Sequence, residues 1–394
     1  MPGNKNCPVC GSPEVREVLL IKEVPANCCI LWEDPRKAVR CPRGDIRLCF
    51  CERCGHLYNQ DFNEHLMSYR EDYDNSLHFS PKFQQYSTSL IRRLTETYRL
   101  YNKNILEIGC GKGDFLQMIC EYGQNRGYGF DKSYQPELDP EPQMNGVKYI
   151  KDYYSEKYAD YPADFIVTRF VLEHIPEPHH FLSNIKQIAH LKNPKAQVYF
   201  FEVPNILYTL RDLGIWDLIY EHCNHFTASS LTQLFERSGF RVMNVEENYM
   251  GQFLSIEAST WNHSPAISYS DRATEGIKSF VDRFAGVFHQ KTGEWKQKLK
   301  HFKDQGQKAV IWGGGAKGFS FLNFLETNEV IQYVVDINPR KRGKYIAGTG
   351  QEYVLPEDLK KINPHAIIIM NPIYTGEITH KLSELGITPE LFTA

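Results

Sequence analysis

The sequence predicts an α/β protein: a central doubly wound parallel sheet, a small cysteine-rich module before it, and a second parallel βα domain after it. Three observations predict this. Ile105-Leu106-Glu107-Ile108-Gly109-Cys110-Gly111-Lys112-Gly113-Asp114 reads as a strand, a glycine turn and the start of a helix, and Asp131 follows Gly109 by 22 residues. Ala309-Val310-Ile311-Trp312-Gly313-Gly314-Gly315-Ala316-Lys317-Gly318 repeats the arrangement, with Asp336 18 residues after Gly318. Ahead of both, Cys7-Pro8-Val9-Cys10-Gly11 and Cys51-Glu52-Arg53-Cys54-Gly55 form two C-x-x-C-G knuckles. The expected division is residues 1–68, 69–262 and 263–394.

Composition sets limits. A chain of 394 residues is long enough for two or three domains, and 42 % hydrophobic and 24 % charged residues fit a globular protein. The net charge of −3 gives no basic footprint, so nucleic acid is not an expected partner. No apolar stretch is long enough for a membrane span, and Met1-Pro2-Gly3-Asn4-Lys5-Asn6 lacks the pattern of a signal peptide. The expectation is a cytoplasmic protein with no membrane partner. In a reducing compartment its eleven cysteines point to metal or buried thiols rather than disulfides.

In the first module, glycine after each C-x-x-C lets backbone amides wrap a thiolate. Cys7, Cys10, Cys51 and Cys54 would make a closed tetrahedral Zn2+ site, structural because four thiolates leave no open position. A module of about 60 residues with few large apolar side chains needs such a staple. Cys28, Cys29, Cys41 and Cys49 lie between the knuckles, so ligand exchange is open. His56 is expected as a neighbour.

In the central domain, residues 90–100 read as a helix leading into the glycine loop. Further strands are expected at 147–150, 165–168 and 198–201, with helices between. Gly109, Gly111 and Gly113 let backbone approach a ligand, and Asp131 can accept from ribose hydroxyls. At position 114 stands Asp rather than the residue a pyrophosphate site would prefer. Glu107 and Asp131 together suit a cationic adenosine ligand, and the E-x-G-x-G-x-G pattern resembles class I methyltransferases that use S-adenosylmethionine (SAM). By the rule that ligands sit at the carboxyl ends of parallel strands, Asp152 could meet the adenine amino group or serve as a turn residue. The same rule brings Arg169-Phe170-Val171-Leu172-Glu173-His174-Ile175 and Glu202 to this edge. His174 reads as a packing and capping residue.

Tyr220-Glu221-His222-Cys223-Asn224-His225 can supply an acid, a base and an orienting group. It can equally be a polar loop capping a helix at 229–238, with Thr227 or Ser229 as N-cap. Farther on, Ile277, Phe280, Val281, Phe284, Val287 and Phe288 make a helical packing stripe within the connector 264–305.

The C-terminal loop satisfies G-x-G-x-x-G through Gly313, Gly315 and Gly318, with Lys317 adding a cation at a helix N-terminus. Strands are expected at 332–335 and 366–370. Some 90 residues fit half a dinucleotide domain, binding one nucleoside diphosphate, better than a whole one. A glycine turn that only packs helix on strand, and an NAD(P)-dependent oxidoreductase, are the competing readings.

These parts in this order resemble the three-domain sugar C-methyltransferases of deoxysugar biosynthesis. The resemblance rests on the four cysteines, the SAM loop, Glu221-His222, Gly313-Gly314-Gly315-Ala316-Lys317-Gly318 and Val335-Asp336-Ile337-Asn338-Pro339-Arg340-Lys341-Arg342-Gly343-Lys344. It implies a zinc-binding N-terminal domain, a class I SAM-methyltransferase Rossmann-like domain, and a C-terminal Rossmann-like α/β domain. It also implies C-methylation beside the ketone of a nucleotide-linked keto sugar. By that analogy His222 is the base, Glu221 orients it or hydrogen-bonds the sugar, Tyr220 donates to the enolate oxygen, and Tyr73 closes over the site. Gly313, Gly315, Lys317, Gly318, Asp336 and Asn338 would hold the nucleotide end. One residue fewer precedes Glu221 than in the family pattern, and His225 stands at a tyrosine position. O-, N- or C-methylation of another small metabolite is the neighbouring reading.

Overall fold

The computed structural model describes residues 6–68, 72–135, 146–192, 197–260, 272–325 and 330–394. The expected boundaries at 68/69 and 262/263 touch or fall on residues outside that set.

Three sheets organise the described residues. The first holds β1 (Val15–Pro25), β2 (Arg43–Cys51) and β3 (Leu57–Asn59), all antiparallel. The second begins with β4 (Asn104–Ile108), β5 (Arg126–Phe130), β6 (Val147–Ile150), β7 (Phe165–Arg169) and β8 (Val198–Pro204). Next in the chain comes β9 (Asn224–His225), which leaves the central sheet and pairs with β3, Leu57 opposite His225 and Tyr58 opposite Asn224. β10 (Arg241–Asn248) and β11 (Phe253–Ser259) then complete the second sheet in the order β10-β11-β8-β7-β4-β5-β6. Its strands are parallel except β11, which runs antiparallel to both its neighbours. The strand order reverses between β4 and β7, so a crevice opens at their carboxyl ends.

The third sheet holds β12 (Ala309–Trp312), β13 (Ile331–Val335), β14 (Glu352–Val354), β15 (Ala366–Ile369) and β16 (Glu390–Thr393), ordered β14-β13-β12-β15-β16 and all parallel. It has two strands more than the pattern predicts. β14 and β16 are short edge strands with too few alternating apolar positions to announce themselves.

Helices obey local signals. The helix before β4 starts at Pro81 rather than residue 90, because the Ser80 hydroxyl caps it and Pro81 fits its first turn. Thr227 caps the helix Ala228–Arg237 through a reciprocal box with Ser230. The helix Arg272–Asp304 buries Ile277, Val281, Phe284, Phe288, Trp295, Leu299 and Phe302, steps of three, four and seven that keep one stripe inward. Each such burial contributes about 1.5–3 kcal/mol.

The cores show what this arrangement holds together. One core joins Leu19, Ile46 and Phe50 of the first sheet to Trp216, the long helix, and Ile311 and Ile368 of the third sheet. A second joins the four predicted cysteine ligands to Phe201, Val203 and Phe226 of the central domain. The N-terminal module therefore shares its hydrophobic packing with both later domains. Among the described residues no helix is long and apolar enough to cross a membrane.

Candidate active site

The glycine loop follows β4, and Gly109, Gly111 and Gly113 have φ of 74°, 56° and 91°. L side chains resist such angles, and space reinforces the demand. A Cβ on Gly109 would lie 2.2 Å from Val171 Cγ2, and one on Gly113 2.4 Å from the Tyr149 ring. Gly109 and Gly111 line a cavity of about 810 Å3 together with Glu107, Asp131, Asp152 and Arg169. Gly113 sits behind the wall, at the N-cap of the helix Asp114–Gly123.

The acids differ in state. Asp131 accepts from the Gly111 amide at 2.8 Å and from the Ser133 amide and hydroxyl at 2.7 Å, so it fixes the loop it faces. Glu107 is buried, its Oε2 has no partner, and burial pushes its pKa up to about 8. A buried acceptor at the cavity wall is suited to donors from a ligand, and the sulfonium, ammonium and ribose hydroxyls of SAM supply charge and donors of that kind. Asp152 accepts from Lys157, from the Tyr158 hydroxyl and from the Tyr153 amide, which hold it well below the usual carboxylate range. Arg169 is ion-paired with Glu202 at 2.8 Å and lies 4.3 Å over the Phe115 ring, so its charge is already compensated within the wall. Asp114, beside the loop, lines the cavity and accepts from the Ser76 hydroxyl at 3.1 Å.

A cluster from distant segments stands at another wall. Tyr73 lines the cavity, and its hydroxyl donates to Glu221 Oε2 at 2.8 Å. The Cys28 amide donates to the other carboxylate oxygen. Burial raises the Glu221 pKa and those donors oppose the rise. His174 also lines the cavity, with Nδ1 3.1 Å from the Glu221 carbonyl oxygen and its ring 4.9 Å from that of His222. Burial drives the pKa of His174 down to about 4 and that of His222 well below its ordinary value, with His174, His225 and Lys317 adding repulsion at His222. Both imidazoles are therefore neutral near pH 7, the form that accepts a proton. Glu173 lies next to them, 1 % exposed, its Oε1 4.0 Å from His174 Nε2, with neither carboxylate oxygen hydrogen-bonded among the described residues and its pKa pushed up to about 8 by burial. Sequence reasoning set His174 aside as packing and passed over Glu173; their position after the switch-point strand β7 was the signal available.

Two other residues of that segment are placed differently from expectation. The Tyr220 hydroxyl accepts the Asn63 amide at 2.8 Å, and its ring packs on Phe62 and against Gly44. It points into the N-terminal module, which removes it from the enolate role. Packing decides this, since a fully buried phenol ring goes where the apolar space is. His225 is held in β9 behind His222, ring centroids 6.3 Å apart, and does not line the cavity.

The sulfurs of Cys7, Cys10, Cys51 and Cys54 all lie within 4.8 Å of one another, with Cys7–Cys54 at 3.6 Å and Cys10–Cys51 at 3.5 Å. Tetrahedral zinc thiolates at about 2.3 Å require sulfurs about 3.8 Å apart, so donor set and spacing fit that ion. His56 stays outside the cluster, its Nε2 2.8 Å from Asn224 Oδ1.

In the C-terminal loop, Gly318 is a packing glycine: a Cβ there would lie 2.1 Å from the Gly313 carbonyl oxygen. Gly313 has φ of 112°, and a Cβ on Gly315 would meet open space. Asp336 accepts from the Gly314 and Asn338 amides and from Lys341 Nζ at 2.7 Å. That ion pair neutralises the carboxylate a dinucleotide ribose would need. Asn338 accepts from the Arg340 amide, while its buried amide nitrogen has no partner. Lys317 bonds Asp217 at 2.7 Å and Gln252 at 3.1 Å, on the side of the loop that meets the central domain.

Two family models match the chain: "Methyltransferase domain" over residues 81–245 and "C-methyltransferase C-terminal domain" over residues 272–388. The C-methyltransferase NovU of Streptomyces niveus is 24 % identical over 226 residues, 55 % of this chain and 53 % of that protein. A ubiquinone biosynthesis O-methyltransferase of Pseudoalteromonas translucida is 31 % identical over 111 residues, 27 % of this chain and 45 % of that protein. The chain thus spans about half the length of the curated relatives it matches. Among solved structures, magnesium protoporphyrin IX methyltransferase of Synechocystis PCC 6803 superposes with a TM-score of 0.34 at 16 % identity, covering 46 % of this chain and 84 % of that one. The chain therefore carries a SAM-dependent methyltransferase domain of class I Rossmann-like fold joined to a C-methyltransferase C-terminal domain.

Proposed function

We propose that the protein transfers a methyl group from SAM to the carbon beside the ketone of a nucleotide-linked keto sugar. The observation that carries this reading is that Tyr73 and His174 line the cavity together with the SAM loop, with Glu221 and His222 directly behind them. The neutral imidazoles are in the form that accepts a proton, and burial makes them weak bases, so the proton taken is one already acidified by a neighbouring ketone. The domain match to C-methyltransferases supports the same chemistry.

On this reading Gly109, Gly111, Glu107 and Asp131 hold SAM, which supplies an electrophilic methyl group. His222 removes the proton alpha to the ketone, and the C–H electron pair moves into the enolate. Glu221, fixed by Tyr73 and the Cys28 amide, orients the sugar and the base. Tyr73, whose single hydroxyl hydrogen rests on Glu221, would turn it to the developing oxyanion, the role that Tyr220 cannot fill. The enolate carbon takes the methyl group, the sulfonium leaves as a thioether, and His222 releases its proton to solvent. Lys317, on exchanging Asp217 for phosphate, and the Gly313–Gly315 turn would hold the nucleotide end. Cys7, Cys10, Cys51 and Cys54 hold a structural Zn2+.

The test is calorimetric titration with SAM, then with nucleoside diphosphates and NADH, followed by assay of S-adenosylhomocysteine formation. The substrate panel holds nucleotide-linked keto sugars and phenols. Turnover of a keto sugar nucleotide is the expected result. SAM binding with turnover only of a phenol moves the substrate to another class, and tight NADH binding with no SAM binding overturns the reading.

A further inference from the structure

Cys28 and Cys29 are sequence neighbours, and neighbouring side chains on extended backbone point to opposite faces. Here the chain bends, and the two sulfurs lie on one side, 3.2 Å apart. The bend is fixed from several directions. The Ala26 amide bonds the Pro42 carbonyl, Asn27 bonds the Leu66 carbonyl and the Ser68 amide, and the Asp74 amide bonds the Cys29 carbonyl. A bridge from Ile30 to Tyr73 ties it to the segment that carries the catalytic tyrosine. A carboxylate oxygen of Glu221 completes a group whose three ligand atoms all lie within 4.8 Å of one another. Cys28 and Glu221 are buried, whereas Cys29 is partly exposed.

Two thiols and a carboxylate converging on one point form a ligand set for a thiophilic divalent cation. We propose that Cys28, Cys29 and Glu221 form a second metal site, separate from the four-cysteine cluster, that takes a cation of the zinc and cadmium class. On binding, each thiol loses its proton to solvent and forms a sulfur–metal bond, and Glu221 supplies the third bond through oxygen. The sulfurs part by about half an ångström to reach the spacing of two thiolates on zinc. The cation claims the carboxylate that Tyr73 and the Cys28 amide otherwise hold. It thereby withdraws the group that orients the reaction, and a shift in available metal becomes a reversible stop. The stop rests on the methyl-transfer reading; the site itself does not.

The experiment is a Cd2+ titration of the reduced full-length protein, counting total zinc plus cadmium per chain by native mass spectrometry. Cys29→Ser and Glu221→Gln are run alongside, with SAM titration on the same samples. Wild type should bind one cation more than Cys29→Ser and release about two protons with it. Glu221→Gln should weaken that cation at least tenfold, and Cys29→Ser should bind SAM as wild type does. Equal cation counts in wild type and Cys29→Ser, or unchanged affinity in Glu221→Gln, overturn the site. Cys28→Ala replaces Cys29→Ser if the latter fails to fold. A protein that binds the extra cation but methylates no keto sugar retains the site and loses the functional reading.

Discussion

Tyr73 donates its hydroxyl hydrogen to Glu221 across 148 positions of sequence, at 2.8 Å and within a buried environment. The same carboxylate takes the backbone amide of Cys28. One acid therefore gathers the N-terminal module, the segment ahead of the central domain and the strap after β8. A hydrogen bond between a phenol and a buried carboxylate is among the stronger kinds, and losing either partner leaves the other unsatisfied.

His222→Ala should leave SAM affinity intact and lower turnover at least about a hundredfold, the scale of a lost general base. Calorimetry and product formation read the two effects separately. Near-normal turnover would remove His222 from the reaction.

Tyr73→Phe should lower kcat more than it raises KM, because the donor matters most once charge develops on the substrate oxygen. Tyr220→Phe keeps the ring that packs on Phe62 and should leave kcat within about twofold, with only a small loss of stability from the unpaired Asn63 amide. Equal damage from both variants would return Tyr220 to the site.

Cys7→Ser or Cys51→Ser should abolish metal binding at the four-sulfur cluster and lower Tm by several degrees. The cluster sits in one core with Phe201 and Phe226, so the loss is not confined to the module. Metal analysis and thermal unfolding check this, and unchanged metal content in either variant would refute the site.

Glu173 imposes a pH dependence on stability. Its pKa is raised to about 8 by burial, so the folded state holds the proton that the unfolded chain releases near pH 4.3. Stability should fall as pH rises from about 4.3 and level off above about 8. Glu173→Gln should flatten that portion of the curve. Unfolding in denaturant at several pH values measures the difference, and parallel curves would show that Glu173 ionises freely.

Gly113→Ala should weaken or abolish SAM binding, because φ of 91° and a Cβ 2.4 Å from Tyr149 force the loop to move. Gly318→Ala should instead destabilise the C-terminal domain by about 1–3 kcal/mol, since its Cβ meets backbone at 2.1 Å and backbone cannot swing aside. SAM titration and thermal unfolding separate the two.

Local signals carried much of the architecture. The strands near 105, 147, 165 and 198, the two glycine turns and the two cysteine knuckles are each written in fewer than ten consecutive residues. What escaped depends on distant partners. β9 is two residues long and exists because β3 lies beside it. Tyr220 has the composition of a catalytic residue, but its ring follows the apolar space beside Phe62. His174 reads as a packing and capping residue until His222, 48 residues beyond it, is brought alongside with Glu173. The turned thiols of Cys28 and Cys29 are a property of the bend, which no spacing rule encodes.

β9 has a practical corollary. The strand that follows His222 finds its hydrogen-bonding partner in a module more than 150 residues earlier, so deleting that module would uncover a raw edge within reach of the reaction centre. A shortened chain could keep the SAM fold and still lose the alignment of its acid and base. Minimal versions of this protein should therefore be sought by trimming surface loops, with the first sheet retained as the jig that sets the distance between His222 and the cavity.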